Sequence, residues 1–445
     1  MSLRLPASAV RSLLRKLIGA GLHAADPYDA LLRSVSFADP ILHIGRKRYD
    51  IGRYRRVVAV GAGKASARMA QALEHVLGSR LTGGLVVIKT GQNVRTRRIT
   101  LVEASHPIPD RAGLLAARQV QEMVAGLTAS DLLIVLLSGG ASSLLPAPVH
   151  GVSLSAKQRT TRLLLASGAP IQDMNVVRKH LSRLKGGGLA ACTQATIATL
   201  VLSDVIGDDL CSIASGLTAA DPTTFTDAIG VLKRYAIWRD VPECVREYLL
   251  QGRRGLVPET LKPGAKRLRH VQHTIIGNNR EMLKAVTTVA RQAGLRATLL
   301  TTTLTGEAQN AVRQYALLAR RIASGRHRLK RPCCVVGGGE TTVTVTGRGI
   351  GGRAQEFAAA GALEIAGMPN VWIAALGTDG SDGPTAMAGA LVGGDTVARA
   401  KSIGVDLAAA LQRHNTYPAL KALHCHIYTG PTGTNVNDLY LLFLL

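Results

Sequence analysis

Aromatic residues are scarce in this chain of 445 residues, where phenylalanine, tryptophan and tyrosine together make up 3%. With so few rings, alanine, leucine and valine must fill the interior, and the hydrophobic share of 47% is ordinary for a globular protein. None of the basic runs alternates with aromatic residues, and the sequence has no zinc-finger, RNA-recognition or basic-zipper pattern. The composition therefore argues against disorder and against specific binding of nucleic acid.

Cysteine is also sparse, with 6 residues and no CxxC pair. This density is too low for a disulfide scaffold and indicates reduced thiols in a cytoplasmic protein. The most apolar run, residues 132–149, is interrupted by glycines and prolines, so we expect no membrane segment. Residues 1–25 carry basic side chains at helical spacing and lack the apolar centre of a secretory signal, which predicts an amphipathic helix.

Acidic residues are outnumbered, because 29 Asp and Glu stand against 54 Lys and Arg and give a formal net charge of +25. Such an excess raises the local concentration of anionic metabolites and permits loose contact with nucleic acid. The basic residues fall in short runs without a recognition motif, so we interpret most of them as solvated surface. The charge is consistent with a small acidic or phosphorylated ligand.

Short β-branched runs that end in glycine and precede helix-like stretches recur along the chain. This pattern predicts an α/β fold with a mostly parallel sheet and helices on both faces. A proline-rich, basic stretch at residues 221–274 indicates a crossing between two domains, and we place the boundary near residue 240. The predicted domains are residues 1–240 and 241–445, with a final apolar strand that belongs to the second domain or returns to the first.

Ligands of open parallel sheets bind where the strands end, so glycine turns at strand ends are the candidate sites. The first such turn contains Gly61, Gly63 and Lys64 before a predicted helix, where backbone N–H groups and the helix dipole favour an anion. It lacks the first glycine and the hydroxyl residue of a Walker A loop, and the third glycine of the dinucleotide fingerprint. The turn is therefore a candidate anion site, with a simple packing turn as the alternative.

Two further turns carry hydroxyl and carboxylate groups. The second contains Ser138, Gly139, Gly140 and Ser142, whose hydroxyls and unhindered N–H groups are typical of a phosphate-binding nest. The third places Asp204 directly after a strand, where its carboxylate could hold Mg²⁺ or accept a proton from a substrate hydroxyl.

A basic segment at residues 175–188 contains Lys185 and ends in three glycines. A solvated helix with a glycine C-cap explains most of this pattern. Cations on one helix facing a cleft would also suit a polyphosphate, so Lys185 is kept as a candidate nucleotide ligand.

The second half of the chain offers two glycine-rich segments separated by one strand-like stretch, which are expected to border the same cleft. They contain Gly339, Glu340 and Arg353, and the arginine suits a carboxylate or phosphate. Later loops add Asp379 and Asn435 as candidate ligand residues. Asp379 competes with the carboxylate of the first half for the role of metal ligand.

A single glycine turn is not specific to any family, but nine motifs of this chain together resemble one family. They are GAGKAS at 61–66, SHPIPD at 105–110, LSGGASSL at 137–144, NVVRKHLSRLKGG at 175–187, SDVIGDD at 203–209, GGGETTV at 337–343, GGRAQE at 351–356, TDGSDG at 378–383 and TGTNVND at 432–438. Together, and in unbroken order, they resemble the class II glycerate 2-kinases, the family with a MOFRL C-terminal domain.

The resemblance implies transfer of the ATP γ-phosphate to the 2-hydroxyl of D-glycerate, with Mg²⁺ or another divalent cation, giving 2-phosphoglycerate and ADP. It implies a Rossmann-like N-terminal domain, a smaller α/β C-terminal domain with the MOFRL region at about 330–440, and an active site in the cleft between them. The family's functional lysine and arginine correspond to Lys64 and Arg353. Asp204 is then expected to orient the hydroxyl or to hold the metal.

Two alternatives stand beside this interpretation. Members of the family have also been labelled hydroxypyruvate reductases, although the dinucleotide fingerprint is missing here. A basic binding protein without catalysis would leave the glycine turns without purpose and would bind DNA in a salt-dependent way. The expected partner is D-glycerate, with no membrane and no specific nucleic acid, and the sequence leaves a homodimer open.

Overall fold

The computed structural model describes residues 7–92 and 94–445. They form two compact units, which we call the first unit (Pro27–Ile276) and the second unit (residues 7–26 with Gly277–Leu445). The division therefore falls after residue 276 and not near residue 240. The N-terminal helix belongs with the C-terminal half of the chain.

Helices and strands alternate through much of the described chain. The helices are α1 (Ala7–Ala24), α2 (Pro27–Ser34), α3 (Ser66–Leu77), α4 (Arg111–Ala125), α5 (Ala141–Leu144), α6 (Leu154–Ala166), α7 (Ile171–His180), α8 (Gly188–Ala191), α9 (Phe225–Arg234), α10 (Glu243–Arg253), α11 (Asn279–Gln292), α12 (Ala308–Ala311), α13 (Arg313–Ala323), α14 (Arg353–Glu364), α15 (Thr396–Ser402), α16 (Leu407–Gln412) and α17 (Thr416–Ala422). The strands are β1 (Val35–Ala38), β2 (Ile41–Ile44), β3 (Lys47–Asp50), β4 (Arg56–Ala62), β5 (Gly83–Lys89), β6 (Ile99–Ala104), β7 (Asp131–Leu137), β8 (Thr196–Leu202), β9 (Val271–Gly277), β10 (Arg296–Leu304), β11 (Cys333–Gly339), β12 (Val371–Gly377), β13 (Gly389–Gly393), β14 (His426–Ile427) and β15 (Asp438–Leu444). Within residues 7–92 and 94–445, no helix is long and apolar enough to cross a membrane.

The main sheet of the first unit has the strand order β6-β5-β4-β7-β8-β9, beside a small antiparallel sheet of β1, β2 and β3. Strand β4 pairs in parallel with both β5 and β7, and β5–β6 and β7–β8 are also parallel. The chain winds outward in opposite directions from β4 and β7, so the topological switch point lies between these two strands. This arrangement confirms the predicted Rossmann-like parallel sheet and brings the turns after β4 and β7 to one edge.

The proline-rich stretch at 221–274 is part of the first unit, and its composition misled the boundary prediction. Phe225 and Val245, from α9 and α10, lie in one buried apolar cluster with Met174 and Val177 of α7. Strand β9 then adds to the edge of the first sheet. Because these segments bury apolar side chains, they are structural elements of the unit and not a linker.

The second unit contains a mixed sheet with the order β10-β11-β15-β12-β13-β14. Only β10–β11 is parallel among its pairings, and β15 lies between β11 and β12. The C-terminal strand is therefore central to the second sheet and does not return to the first. The strand-like stretch that the sequence predicts between the two glycine-rich segments of the second half, residues 340–346, forms a loop with a single bridge between Thr342 and Glu307.

Candidate active site

The two glycine turns at the switch point of the first unit are bonded to each other. The Lys64 amide donates to the Gly139 carbonyl at 2.8 Å, and the Ala65 amide donates to Ser138 Oγ at 3.0 Å. Gly63 has a φ of +143°, and a Cβ at this position would lie 2.1 Å from Ser138 Oγ. The predicted Ser138 hydroxyl thus serves to lock the two turns together.

Three other predicted residues of this unit also have defined places. Gly61 lies inside β4, where a Cβ would approach the Leu136 carbonyl oxygen to 2.2 Å, so close strand packing requires glycine. Ser142 Oγ is 2.9 Å from Ser215 Oγ. The buried Lys185 Nζ donates to the Ser142 carbonyl at 2.7 Å. The structure therefore brings the predicted Ser142 and Lys185 together.

A carboxylate, a lysine and an imidazole converge on the two glycines of the second turn. A Cβ on Gly139 would lie 1.9 Å from Asp204 Oδ2, so this carboxylate packs directly on the turn. Gly140 has a φ of +87°, and a Cβ there would lie 2.9 Å from His106 Cδ2 and 3.2 Å from Lys64 Cγ. The edge of the sheet thus offers both a group that can accept a proton and a cation that can hold an anion.

His106 follows β6 and was not among the predicted site residues. Burial, together with the positive charges of Lys64, Lys89 and Arg178, lowers the pKa of its imidazole to about 4. The ring is therefore neutral at pH 7, with one nitrogen able to donate and the other able to accept.

The segment at 175–188 differs from the predicted solvated helix. Helix α7 ends at His180, and the residues that follow turn back into the first unit. Lys179 makes a buried ion pair with Asp221, with Nζ 3.1 Å from Oδ1, and Lys185 is 1% exposed. A run of positive charge does not reveal burial, which here depends on long-range partners.

Three cations of this region lie close to one another below the surface. Burial, together with the charge of Arg178, lowers the pKa of Lys157 to about 7. Its Nζ donates to the Leu181 carbonyl at 2.8 Å. Burial also lowers the pKa of Lys185, which the charges of Lys157 and Arg178 depress further. Burial alone lowers the pKa of Arg178. Because these three cations repel one another, the region is suited to binding an anion.

In the second unit, Arg353 begins α14 and forms an ion-pair network. Its Nε and Nη2 donate to Asp438 Oδ2 and Oδ1 at 2.7 and 2.9 Å, and its Nη1 donates to Glu340 Oε1 at 2.6 Å. Burial raises the pKa of Asp438 to about 6, against the opposing effect of Arg353. The predicted Arg353 and Glu340 are therefore in direct contact, and Asp438 is a partner that sequence reasoning missed.

Asp382 holds the first turn of α14. Its carboxylate accepts from the Ala354 and Gln355 amides at 3.1 and 2.9 Å, so it satisfies N–H groups that the helix leaves unpaired. A Cβ on Gly352 would lie 2.3 Å from Asp382 Cγ, which explains the glycine before the arginine. This carboxylate fixes the position from which Arg353 projects.

The other predicted residues of the second unit lie in nearby loops. Asp379 Oδ1 accepts from both the amide and the hydroxyl of Ser381 at 3.1 Å. Asn435 Oδ1 accepts from the Asn437 amide at 3.2 Å. Gly339 has a φ of +147° at the end of β11. Asn435 thus shapes the loop before β15, and Gly339 permits the turn after β11.

A cavity of about 650 Å³ opens among these loops. Its lining includes Thr341, Gly351, Arg353, Asp379 and Asp382. The expectation that the two glycine-rich segments of the second half border one cleft agrees with this lining.

Neither predicted metal ligand belongs to a preformed metal cage. Asp204 lies in the first unit and Asp379 in the second. Across the described ranges 7–92 and 94–445, no group of three or more His, Cys, Asp or Glu side chains could hold an ion. Mg²⁺ in phosphoryl-transfer enzymes is commonly held by one or two carboxylates together with waters and substrate phosphates. A single candidate carboxylate in each unit fits a cation that arrives with a nucleotide.

The residues that the predictions missed lie within the motifs already singled out. They are His106 in SHPIPD, Arg178 in NVVRKHLSRLKGG, Asp382 in TDGSDG and Asp438 in TGTNVND. Motif membership could therefore have identified them as candidates. Their partners could not be read from the sequence.

Known proteins match the chain over nearly its full length. A family model described as a domain of unknown function, DUF4147, matches residues 13–250, and the MOFRL family matches residues 333–438. The glycerate 2-kinase of Pyrococcus horikoshii is 40% identical, covering 97% of each chain. A putative hydroxypyruvate reductase of Agrobacterium vitis is also 40% identical, over 98% of this chain and 95% of that protein. The crystal structure of glycerate kinase from Thermotoga maritima matches with a TM-score of 0.86 and 38% identity, over 98% of this chain and 100% of that one.

Proposed function

Because this chain belongs to the class II glycerate 2-kinase family, we propose that it transfers the γ-phosphate of ATP to the 2-hydroxyl of D-glycerate. The products are 2-phosphoglycerate and ADP. The protein is then a phosphotransferase that acts on an alcohol group.

The observation that carries the proposal is the convergence of Lys64 and Asp204 on the glycines at 139 and 140. Phosphoryl transfer needs little covalent chemistry from the protein and depends on positioning and on neutralising charge. The turn supplies backbone N–H groups beside a lysine and a carboxylate, which is the set of groups that this reaction uses.

Each predicted residue receives a role in this reaction. Asp204 orients the 2-hydroxyl and accepts its proton as the oxygen attacks the γ-phosphorus. Lys64 stabilises negative charge on the transferred phosphoryl group, and Arg353 binds negative charge of the substrates. The turn at Ser138–Ser142 holds ATP phosphates, and the buried Lys185 supports this turn through its bond to the Ser142 carbonyl. The loops with Gly339, Glu340, Asp379 and Asn435 complete the substrate and nucleotide contacts.

Mg²⁺ would be held by Asp204 or Asp379 and would neutralise charge on the bound phosphates. We further propose that the active site excludes water during transfer, because water would otherwise accept the phosphoryl group. The same proposal includes a cytoplasmic location, a homodimer and no specific nucleic-acid partner.

The test is ADP release by the purified protein with ATP, Mg²⁺ and D-glycerate, with ³¹P NMR to identify the product. We expect glycerate-dependent ADP formation and a 2-phospho product, both lost without the divalent cation. A 3-phospho product would contradict the proposed position of transfer. Absence of glycerate-dependent ADP would contradict the kinase.

One relative is named as a putative hydroxypyruvate reductase, so a reductase is the second candidate. It requires a nicotinamide site, yet the first turn lacks the third glycine of the dinucleotide fingerprint. Oxidation of NADH with hydroxypyruvate, measured on the same preparation, separates the two. We expect no oxidation above the background of the Lys64→Ala variant.

A further inference from the structure

Arg178 lies in the last turn of α7 and is half-buried in the first unit. Within residues 7–92 and 94–445, its guanidinium makes no hydrogen bond or ion pair, and the same is true of the Lys64 ammonium. Helix α7 lies beside the glycine turn after β7, because Ser215 Oγ is 2.9 Å from Ser142 Oγ and donates at 3.0 Å to Asn175 Oδ1, one helical turn before Arg178. Both charges also act on His106, which packs on the same turn. Arg178 therefore brings an uncompensated charge to the same edge of the sheet as Lys64.

The other two buried cations have partners of their own. Lys157 and Lys185 donate to the carbonyls of Leu181 and Ser142 at 2.8 and 2.7 Å. The charge of Arg178 lowers the pKa of both lysines, so these neighbours repel the guanidinium. An unpaired guanidinium surrounded by like charges destabilises the fold, and such groups commonly await an anionic ligand.

Arg178 and Arg353 differ in how many donors they have left. Arg353 already uses Nε, Nη1 and Nη2 in bonds to two carboxylates. No described residue accepts a hydrogen bond from Arg178, so all five of its N–H donors are available. A planar guanidinium with two free parallel donors matches a carboxylate better than the point charge of a lysine does.

Resting on the proposed kinase activity, we propose that Arg178 binds the carboxylate of D-glycerate through paired N–H donors. Lys64 is then left to the phosphoryl group. The neutral His106 beside them adds no charge that would compete with Arg178 for the carboxylate. Arg178 becomes a substrate-binding residue of the first unit that was not among the predicted site residues.

The experiment measures initial rates of ADP release while D-glycerate and ATP are varied separately. The variants are Arg178→Gln, which removes the charge, Arg178→Lys, which keeps the charge without the fork, and Arg162→Gln as the matched control. Arg162 is an exposed arginine on α6 of the same unit. For Arg178→Gln we expect KM for glycerate to rise about 10- to 100-fold, because a charge-assisted bidentate contact is lost. KM for ATP should stay within about twofold, and the control should match wild type.

A second readout separates binding from folding. Loss of an unpaired buried charge should leave the melting temperature of Arg178→Gln equal to or above that of wild type. The rise in melting temperature that D-glycerate causes in wild type should vanish in this variant. If Arg178→Gln does not fold, Arg178→Lys decides by the same KM comparison.

The outcomes distinguish this inference from the kinase itself. Wild-type protein without glycerate-dependent ADP release would overturn the proposed function. Active wild type with unchanged KM for glycerate in both Arg178 variants would overturn only the carboxylate role. A rise confined to KM for ATP would also overturn it and would place Arg178 at a nucleotide phosphate.

Discussion

Arg353 and Asp438, 85 positions apart in the sequence, form a bidentate ion pair with Nε–Oδ2 at 2.7 Å and Nη2–Oδ1 at 2.9 Å. The carboxylate is buried and also accepts from the Tyr440 hydroxyl at 2.9 Å. The arginine predicted from its glycine-rich motif is thereby held by the first residue of the central strand β15. Its position depends on the sheet and not on its own loop.

Asp438→Asn should destabilise the protein by about 3 kcal/mol, because it leaves a partly buried guanidinium without its main partner. Glu340→Gln removes the other ion pair, in which both side chains are at least one-third exposed, and should cost about 1 kcal/mol or less. Urea unfolding of the two variants beside wild type measures the difference. Equal losses in both would contradict the view that Asp438 is the residue that positions Arg353.

Lys64→Met should lower kcat/KM for the glycerate-dependent reaction by about 10²- to 10³-fold, as expected for loss of a charge that stabilises the transition state. Methionine keeps the length of the side chain, so the melting temperature should change little. Lys233→Met, on the exposed face of α9, provides the matched control and should retain wild-type rates. A Lys64 variant with full activity would remove this lysine from the proposed mechanism.

Gly139→Ala tests the contact between the glycine turn and Asp204. The new methyl group would lie 1.9 Å from Asp204 Oδ2, so the carboxylate must move. We expect kcat to fall by about 100-fold, since a misplacement of about 1 Å can have such an effect, while the circular dichroism spectrum is retained. Gly230→Ala in α9 meets no atom within 4 Å and should instead stabilise the protein by about 0.5–1 kcal/mol. Wild-type kcat in Gly139→Ala would mean that the position of Asp204 is not critical.

Local patterns predicted the fold class and the glycine turns at the strand ends, because both depend on short-range signals. The buried run of β7 and the glycines after it identify a parallel strand and its turn without any knowledge of partners. The predicted domain boundary was wrong because it also relied on short-range signals alone. Prolines and charges near residue 240 look like a linker, whereas Phe225 and Val245 show their burial only in the folded unit.

The candidate site residues could be chosen from the sequence by residue type, but their pairing could not. Lys64 and Asp204 follow strands, so their approach to Gly139 and Gly140 is a consequence of parallel topology. The charge of Arg178 was interpreted as solvated, because sequence gives the sign of a charge but not its burial. Likewise, nothing local links Arg353 to a carboxylate on a strand much later in the chain.

Asp131 provides a prediction at the opposite edge of the sheet, where β7 begins. Its fully buried carboxylate accepts from Arg56 Nη2 and Nε at 2.8 and 3.0 Å and from the Thr128 amide at 2.8 Å. The Arg56 bond holds the pKa of Asp131 well below its usual range, although burial acts in the opposite direction. Asp131→Asn should therefore destabilise the first unit by about 3 kcal/mol at pH 7 without changing KM for either substrate.

The pH dependence of the stability lost in Asp131→Asn follows from the direction in which folding shifts the pKa of Asp131. The folded pKa is lowered, so the stability that ionised Asp131 contributes is fully present above its unfolded pKa of about 4 and is lost as the pH falls toward the folded value. The difference in unfolding free energy between wild type and Asp131→Asn should stay constant from pH 7 to about pH 5 and shrink below about pH 4. Urea unfolding at each pH measures it, with Arg53→Gln, whose arginine is 84% exposed, as the control. A difference that persists undiminished at pH 3 would show that the carboxylate's charge is not what stabilises this end of the sheet.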